Sequence, residues 1–293
     1  MYYITFRIYF SPIFLIMEKW ILSTTLLFAL QVEHAWAQNS MDHFPKGAQS
    51  MGLGNASLTI NDPWAVFNNI GALGTAPEQL TAFAGYDHRL GLNELTTIAA
   101  GLTIPTENTG NIGVGLSSFG GALFNQQQIG IGIANQLGLA SLGVKLSYFQ
   151  TNIEGFGRSA RPVVEFGGTA ELIPGLFFGA HMYNVTRSAV SKASGDYLPT
   201  TMKAGLSYRP SDHLMVNLET EKELQSPAQF KAGLAYNFDQ KFWARTGINT
   251  QPNNLFFGIG FKPQRYQIDY AMSRNYLLGF THHFSFNYNL SAP

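Results

Sequence analysis

From Glu78 onward the sequence alternates apolar residues with small or polar ones, and a period of two leaves little room for anything but β-strands. In 229–238, Phe230, Ala232, Leu234, Tyr236 and Phe238 share one face; Lys231, Gly233, Ala235 and Asn237 share the other. Segment 265–273 sets Tyr266, Ile268, Tyr270 and Met272 against Gln267, Asp269, Ala271 and Ser273. In 141–148, Leu142, Val144, Leu146 and Tyr148 oppose Gly143, Lys145 and Ser147. Successive strand side chains point to opposite faces, so each segment has one greasy side. This reading predicts strands near 78–87, 92–104, 110–118, 125–136, 139–150, 162–172, 175–185, 200–209, 212–221, 228–238, 241–250, 254–262, 264–273 and 279–289.

Such strands could belong to a soluble sandwich or to a membrane barrel. A sandwich directs its apolar face inward and uses strands of roughly 5–6 residues. Here the segments have about the 9–11 residues of a tilted membrane strand. The face opposite the apolar one carries Gly113, Gly115, Gly130, Gly132, Gly258 and Gly260, from which no packed core can be made. Composition agrees: charged residues are 12%, against an ordinary share of about 25%, so the low charge must be matched by an apolar environment. No segment of the mature chain carries the ~18 uncharged apolar residues of a membrane helix. Short turns are expected at Ile173-Pro174-Gly175, Pro210-Ser211-Asp212, Asp239-Gln240-Lys241 and around Pro263, with longer links at 151–161, 186–199, 222–227 and 275–278. The expected fold is therefore all-β, an outer-membrane antiparallel barrel of about fourteen strands over 78–290, its apolar face toward lipid. An even count puts both barrel termini on the periplasmic side.

The beginning of the chain reads differently. Met17-Glu18-Lys19 opens a charged start, Trp20 to Leu30 is a run of apolar and hydroxyl residues, and Ala35-Trp36-Ala37 is a cleavage signature. A signal peptide is expected over 1–37, with Met17 as the true start and Gln38 as the mature N-terminus. Segment 38–77 lacks sustained alternation, and Pro63-Trp64-Ala65-Val66-Phe67 resembles a short helical turn after an Asn61/Asp62 cap. It is expected to fold into the lumen as a hatch. Its candidate residues are Asp62, Trp64, Phe67, Asn68 and Asn69, with Trp64 and Phe67 packed on lumen glycines.

Little in the sequence points to chemistry. The Gly-x-Gly pairs are not framed between a strand and a helix as a phosphate cradle requires. His282 and His283 are adjacent on a strand and point apart, so they cannot share a metal. Ser211-Asp212-His213 are consecutive, which forbids a triad, and no G-x-S-x-G occurs. No catalytic residue, cofactor or metal site is expected. There is no cysteine, and a net charge of zero removes the general electrostatic case for nucleic acid. Lys203, Glu219, Lys231, Arg245 and Asp269 are expected to face the lumen from separate strands. They form a charge ladder that braces the wall or docks the hatch, since ionisable groups at membrane depth need one another or water. Tyr148, Tyr208, Tyr236, Phe238, Trp243, Tyr270, Phe286 and Tyr288 are expected as interfacial girdles.

The ends of the mature chain carry a resemblance. Lys46-Gly47-Ala48-Gln49-Ser50-Met51-Gly52-Leu53-Gly54-Asn55-Ala56, then Asn61-Asp62-Pro63-Trp64-Ala65-Val66-Phe67-Asn68-Asn69, resembles the opening of the PorV/PorQ family of outer-membrane proteins. Asp269-Tyr270-Ala271 and Gly279-Phe280-Thr281-His282-His283-Phe284-Ser285 are similar to that family's ending. Asn69-Ile70-Gly71-Ala72-Leu73 departs from the family's N-P-A-G-L. The resemblance implies a FadL-like barrel with a lumenal hatch. It also implies a non-enzymatic accessory role in type IX secretion, with a large translocon subunit and cargo C-terminal domains as partners beside outer-membrane lipid. The alternative is a FadL-like channel for small hydrophobic compounds.

Overall fold

The computed structural model of this chain describes residues 44–107, 110–191, 196–224, 226–239 and 241–291. The expected signal peptide, the start at Met17 and the first residues of the hatch segment, 38–43, lie outside the described residues.

Fourteen antiparallel strands close into one barrel. In chain order they are β1 (Thr81–Arg89), β2 (Thr96–Thr106), β3 (Gly110–Gly120), β4 (Phe124–Leu137), β5 (Ala140–Ile153), β6 (Gly157–Ile173) and β7 (Leu176–Tyr183). After a link containing the small hairpin β8 (Ala189–Ser191) and β9 (Asp196–Tyr197), the wall resumes with β10 (Thr201–Ser211). It continues through β11 (Leu214–Glu223), β12 (Gln229–Asn237), β13 (Phe242–Thr250), β14 (Asn253–Phe261), β15 (Tyr266–Asn275) and β16 (Gly279–Asn289). Each strand pairs with its neighbour in the wall, and β1 pairs with β16, Thr81 opposite Asn289. Closure leaves no unpaired edge, the condition for a sheet to stand in hydrocarbon. The even count brings β1 and β16 to the same end of the barrel, here the terminal end; the opposite end is the loop end.

The faces fall as the alternation requires. On β12, Lys231, Gly233, Ala235 and Asn237 are buried, while Phe230, Leu234 and Tyr236 are exposed on the outer wall, Phe230 by 61%. Ile129, Ile131, Val144 and Leu146 continue this band around β4 and β5. An outer surface so apolar is the lipid-facing side of a barrel. Turns at the terminal end are tight where the sequence supplies the geometry. Pro174 fixes φ for the first corner between β6 and β7, and Gly175 takes the positive φ, 78°, of the second.

Two expectations need correction. Segment 151–161 is not a long loop: β5 runs to Ile153 and β6 starts at Gly157, leaving a turn centred on Gly155 at φ 78°. The ladder continues past the apolar band, Gln150 opposite Ala160 and Asn152 opposite Arg158. Above the lipid neither face must be apolar, so alternation fades although the backbone pairing does not. The links at 222–227 and 275–278 stand within two residues of expectation, between β11 ending at Glu223 and β12 starting at Gln229, and between β15 ending at Asn275 and β16 starting at Gly279. Trp243 is also misplaced by the girdle reading. It shares parity with Arg245, turns inward and packs beside Leu53, Ile60 and Ala235. The other assigned aromatics are exposed outside the wall.

Candidate functional site: the lumen and its hatch

Residues 44–77 occupy the barrel interior. The segment contains a short helix at Ala48–Gly52, a second at Ala65–Asn68 and a 3-10 turn at Ile70–Thr75. Trp64, Ala65, Val66, Ile70, Ala72 and Leu73 are buried in one cluster with Phe83 of β1, Ala99 of β2 and Ala134 of β4, and Phe67 packs against it. Trp64 meets Phe83 with ring centroids 4.8 Å apart, and Phe67 stands edge-on to Phe83 at 6.1 Å. These rings close the middle of the lumen.

Lumen glycines make the fit possible. A methyl group built on Gly85 would stand 2.7 Å from Trp64 Cη2, and one on Gly115 2.7 Å from Phe67 Cζ. Val66 and Ile70 sit over Gly113 and Gly132, and Gly52 of the hatch meets Gly258 of the wall backbone to backbone. Two of the expected glycines have another purpose. Gly130 leaves space for Lys145 and Ser147, and Gly260 for Arg245 and Asp269.

Hydrogen bonds then fix the hatch in register. Trp64 Nε1 donates to Asn287 Oδ1 at 2.8 Å. Asn69, fully buried, donates through Nδ2 to the carbonyls of Leu58 (2.7 Å) and Gly168 (3.1 Å), and its Oδ1 accepts from the Gly71 amide. Asn68 ties the two hatch helices together, accepting from the Lys46 amide and donating to the Lys46 carbonyl and Ser50 Oγ. From the wall, Asn111, Asn217 and Arg209 donate to the carbonyls of Leu73, Ala56 and Thr59. The expected cap is not made. The Ala65–Asn68 helix has Trp64 at its N-cap with no side-chain bond; Asn61 donates instead to the Thr75 carbonyl, and the Asp62 carboxylate caps nothing. The chain enters through a backbone turn, the Ala65 amide donating to the Asp62 carbonyl.

All five ladder residues are buried in the lumen. They form two groups rather than one ladder. Lys231 reaches Glu219 at 3.2 Å and also contacts Glu221, which Lys203 reaches at 3.5 Å. Arg245 pairs with Asp269 at 2.6 Å. The break falls on β13, where Asn249, not a charge, stands opposite Lys231. Glu219 also accepts hydrogen bonds from the hatch amides of Ser57 (2.9 Å) and Leu58 (3.2 Å), so it braces the wall and docks the hatch.

The sequence reading missed several members of this lining. Glu221 has the inward parity of Glu219, and that parity alone could have found it. Lys145 and Glu165 pair at 2.9 Å, with His181 Nε2 at 3.4 Å from Glu165. With Lys203 opposite His181, these groups extend the charged belt across β5, β6, β7, β10, β11 and β12. The two histidines point apart as expected: His283 faces inward and meets Asp87 at 2.9 Å, while His282 bonds outside to the Tyr270 hydroxyl at 2.7 Å.

On the terminal side of the hatch lies a cavity of about 720 Å³, lined by Gln49 and Ile60 of the hatch and by Phe177, Arg209, Met215 and Trp243 of the wall. Beside Phe67 the free space is only about 20 Å³, bordered by Lys46, Lys145 and His181.

Among solved structures the chain is similar to the monoaromatic hydrocarbon channel TodX of Pseudomonas putida in its deltaS2 mutant form. The TM-score is 0.66 at 12% identity, covering 86% of this chain and 100% of that one. It is also similar to the Ralstonia pickettii toluene transporter TbuX, with TM-score 0.65, 13% identity, and 85% and 100% of the two chains covered. A Pseudomonas aeruginosa FadL homologue gives 0.60 at 12% identity, with 84% and 98% covered. At this identity the likeness is one of fold, and the fold is the FadL-like barrel. No protein-family model matches the chain, and no curated protein matches it.

Proposed function

We propose that this chain is an outer-membrane channel for small hydrophobic compounds, closed at rest by its N-terminal hatch. One observation carries the reading: the hatch fills the mid-lumen and leaves a partly apolar chamber of about 720 Å³ on its terminal side. A structural plug would gain nothing from such a chamber, whereas a solute released past the hatch needs one. Pockets for small ligands are typically about 300–1,000 Å³ and mostly apolar, with a few placed polar groups. The FadL-like fold shared with TodX and TbuX supports the same reading.

The test is to delete 61–73. The wall strands pair without this segment, so a folded barrel should remain. Liposomes carrying the variant should take up a small aromatic hydrocarbon faster than those carrying the intact protein. Equal uptake by the two would end the channel reading.

The type IX accessory role is the second reading. It is supported by the patterns at 46–56, 61–69, 269–271 and 279–285. Several of those residues hold the hatch in place, as Gly52, Asn68 and Asn69 do, so the patterns also have a purely structural use. Under this reading, replacing 186–199 by a short Gly-Ser link should stop surface display of cargo while the hatch stays docked. Unchanged export after each loop-end link is replaced in turn would remove it.

Both readings place the terminal end in the periplasm. A cysteine at Gly155, on the β5–β6 turn, should then react with an impermeant maleimide on whole cells, whereas one at Ser211 should not. Labelling confined to Ser211 would reverse the orientation.

A further inference from the structure

Asp62 sits in the hatch at the border of the terminal chamber. Both of its carboxyl oxygens are buried, and neither has a hydrogen-bond partner among the described residues. The Trp64 amide lies near but does not meet hydrogen-bond geometry. The charged groups around it come from three neighbouring elements: Lys262 from the β14–β15 turn, Arg245 from β13 and Asp269 from β15. Arg245 is already committed to Asp269. Glu171, Arg209 and Asp212 line the chamber more widely. A buried carboxylate without a donor is costly, and the same group as a neutral acid is far less so. Among the described hatch side chains Asn55 Oδ1 is also left over, but an amide carries no charge to desolvate. Among the described hatch side chains Asp62 is thus the ionisable one left without a partner; on the wall, Arg245 Nε and the His181 ring nitrogens are left over as well, but each of those side chains stands beside a carboxylate, Asp269 or Glu165.

We propose that Asp62 is a proton-sensitive latch: the hatch stays docked while this carboxyl is neutral and loosens when it ionises. Burial, and after it the Asp269 carboxylate, push the Asp62 pKa up from 3.8 to about 7; Lys262, the Trp64 amide and Arg245 offset only part of this. In a released hatch Asp62 meets water and returns toward 3.8. The docked state therefore holds the extra proton between those two values. Docking is strongest below the lower value and weakens as pH rises toward about 7, beyond which Asp62 has no further effect. The latch acts on the hatch itself, whatever solute the barrel carries.

The experiment is hydrogen exchange on hatch peptides of the full chain in lipid nanodiscs, corrected for the intrinsic pH dependence of exchange. Protection in the unmodified protein should fall at least about tenfold between roughly pH 5 and pH 8, since each pH unit between the two pKa values shifts the equilibrium by up to about tenfold. Asp62→Asn should keep the hatch protected at both. Asp62→Leu, neutral and apolar, serves as the second variant and should behave alike. The proposal is overturned by an equal fall in the neutral variants, by no fall in the unmodified protein, or by neutral variants whose hatch stays undocked at every pH. Solute transport is not the readout, so failure of the latch and failure of the channel reading are separately visible.

Discussion

Lys231→Leu should be the most destabilising single change in the wall, with a folded barrel that loses its compact form at markedly lower temperature or urea concentration. The Lys231 ammonium is buried and contacts both Glu219 and Glu221. Its removal leaves two carboxylates on one strand, facing the same closed space, with Lys203 still near the second. Breaking a buried pair this way costs about 3–5 kcal/mol, because the survivor cannot regain its water. Lys203→Leu should cost less, since Lys203 stands off at 3.5 Å from a carboxylate that keeps Lys231. Leu234→Arg is the outward control. Leu234 follows the inward-facing Gly233 on β12 and itself points out to lipid. A cation near the bilayer midplane costs about 2–4 kcal/mol and should block insertion. Heat-modified mobility on gels and urea midpoints in detergent read all three. A silent Leu234→Arg beside inward variants that fail to assemble would invert the face assignment.

Gly71→Ala should undock the hatch and leave the barrel standing. A Cβ at Gly71 would overlap the Cα and N of Gly168 and the carbonyl carbon of Gly167, all backbone of β6. Those atoms belong to ladders with β5 and β7 and cannot retreat without breaking them. The 3-10 turn must move instead, giving up the hydrogen bonds from Ser141 Oγ to the Gly71 carbonyl (2.6 Å) and from the Gly71 amide to Asn69. Overpacking of a close-fitted site costs about 1–3 kcal/mol, and the lost bonds add to it. Exchange protection over the hatch should drop with strand content unchanged, and under the proposed channel function uptake of a small apolar solute should rise. Gly121→Ala is the matched control, since its nearest neighbours are atoms of Glu94 at 3.5 Å. If Gly71→Ala kept the hatch as protected as Gly121→Ala does, the docked position of the 3-10 turn would be wrong.

The sequence by itself determined the wall. Alternation at β12 and β15 assigns each residue to lipid or lumen, because a strand has only two faces and hydrocarbon accepts only one kind of side chain. The inward position of Lys203, Glu219, Lys231, Arg245 and Asp269 followed from parity alone, and parity would have placed Glu221 and Trp243 too. Strand ends were less legible, as the β5–β6 hairpin shows, because hydrophobic patterning records depth in lipid rather than the reach of backbone pairing. What only the tertiary structure decided is who meets whom across the lumen. Glu219 meets the hatch amides of Ser57 and Leu58, Gly52 finds Gly258, and Asp62 is left without a donor. Those outcomes depend on the stagger of strands around a closed wall and on where a tethered segment comes to rest inside it. Neither is written in any local run of residues, since each contact joins positions far apart in the chain.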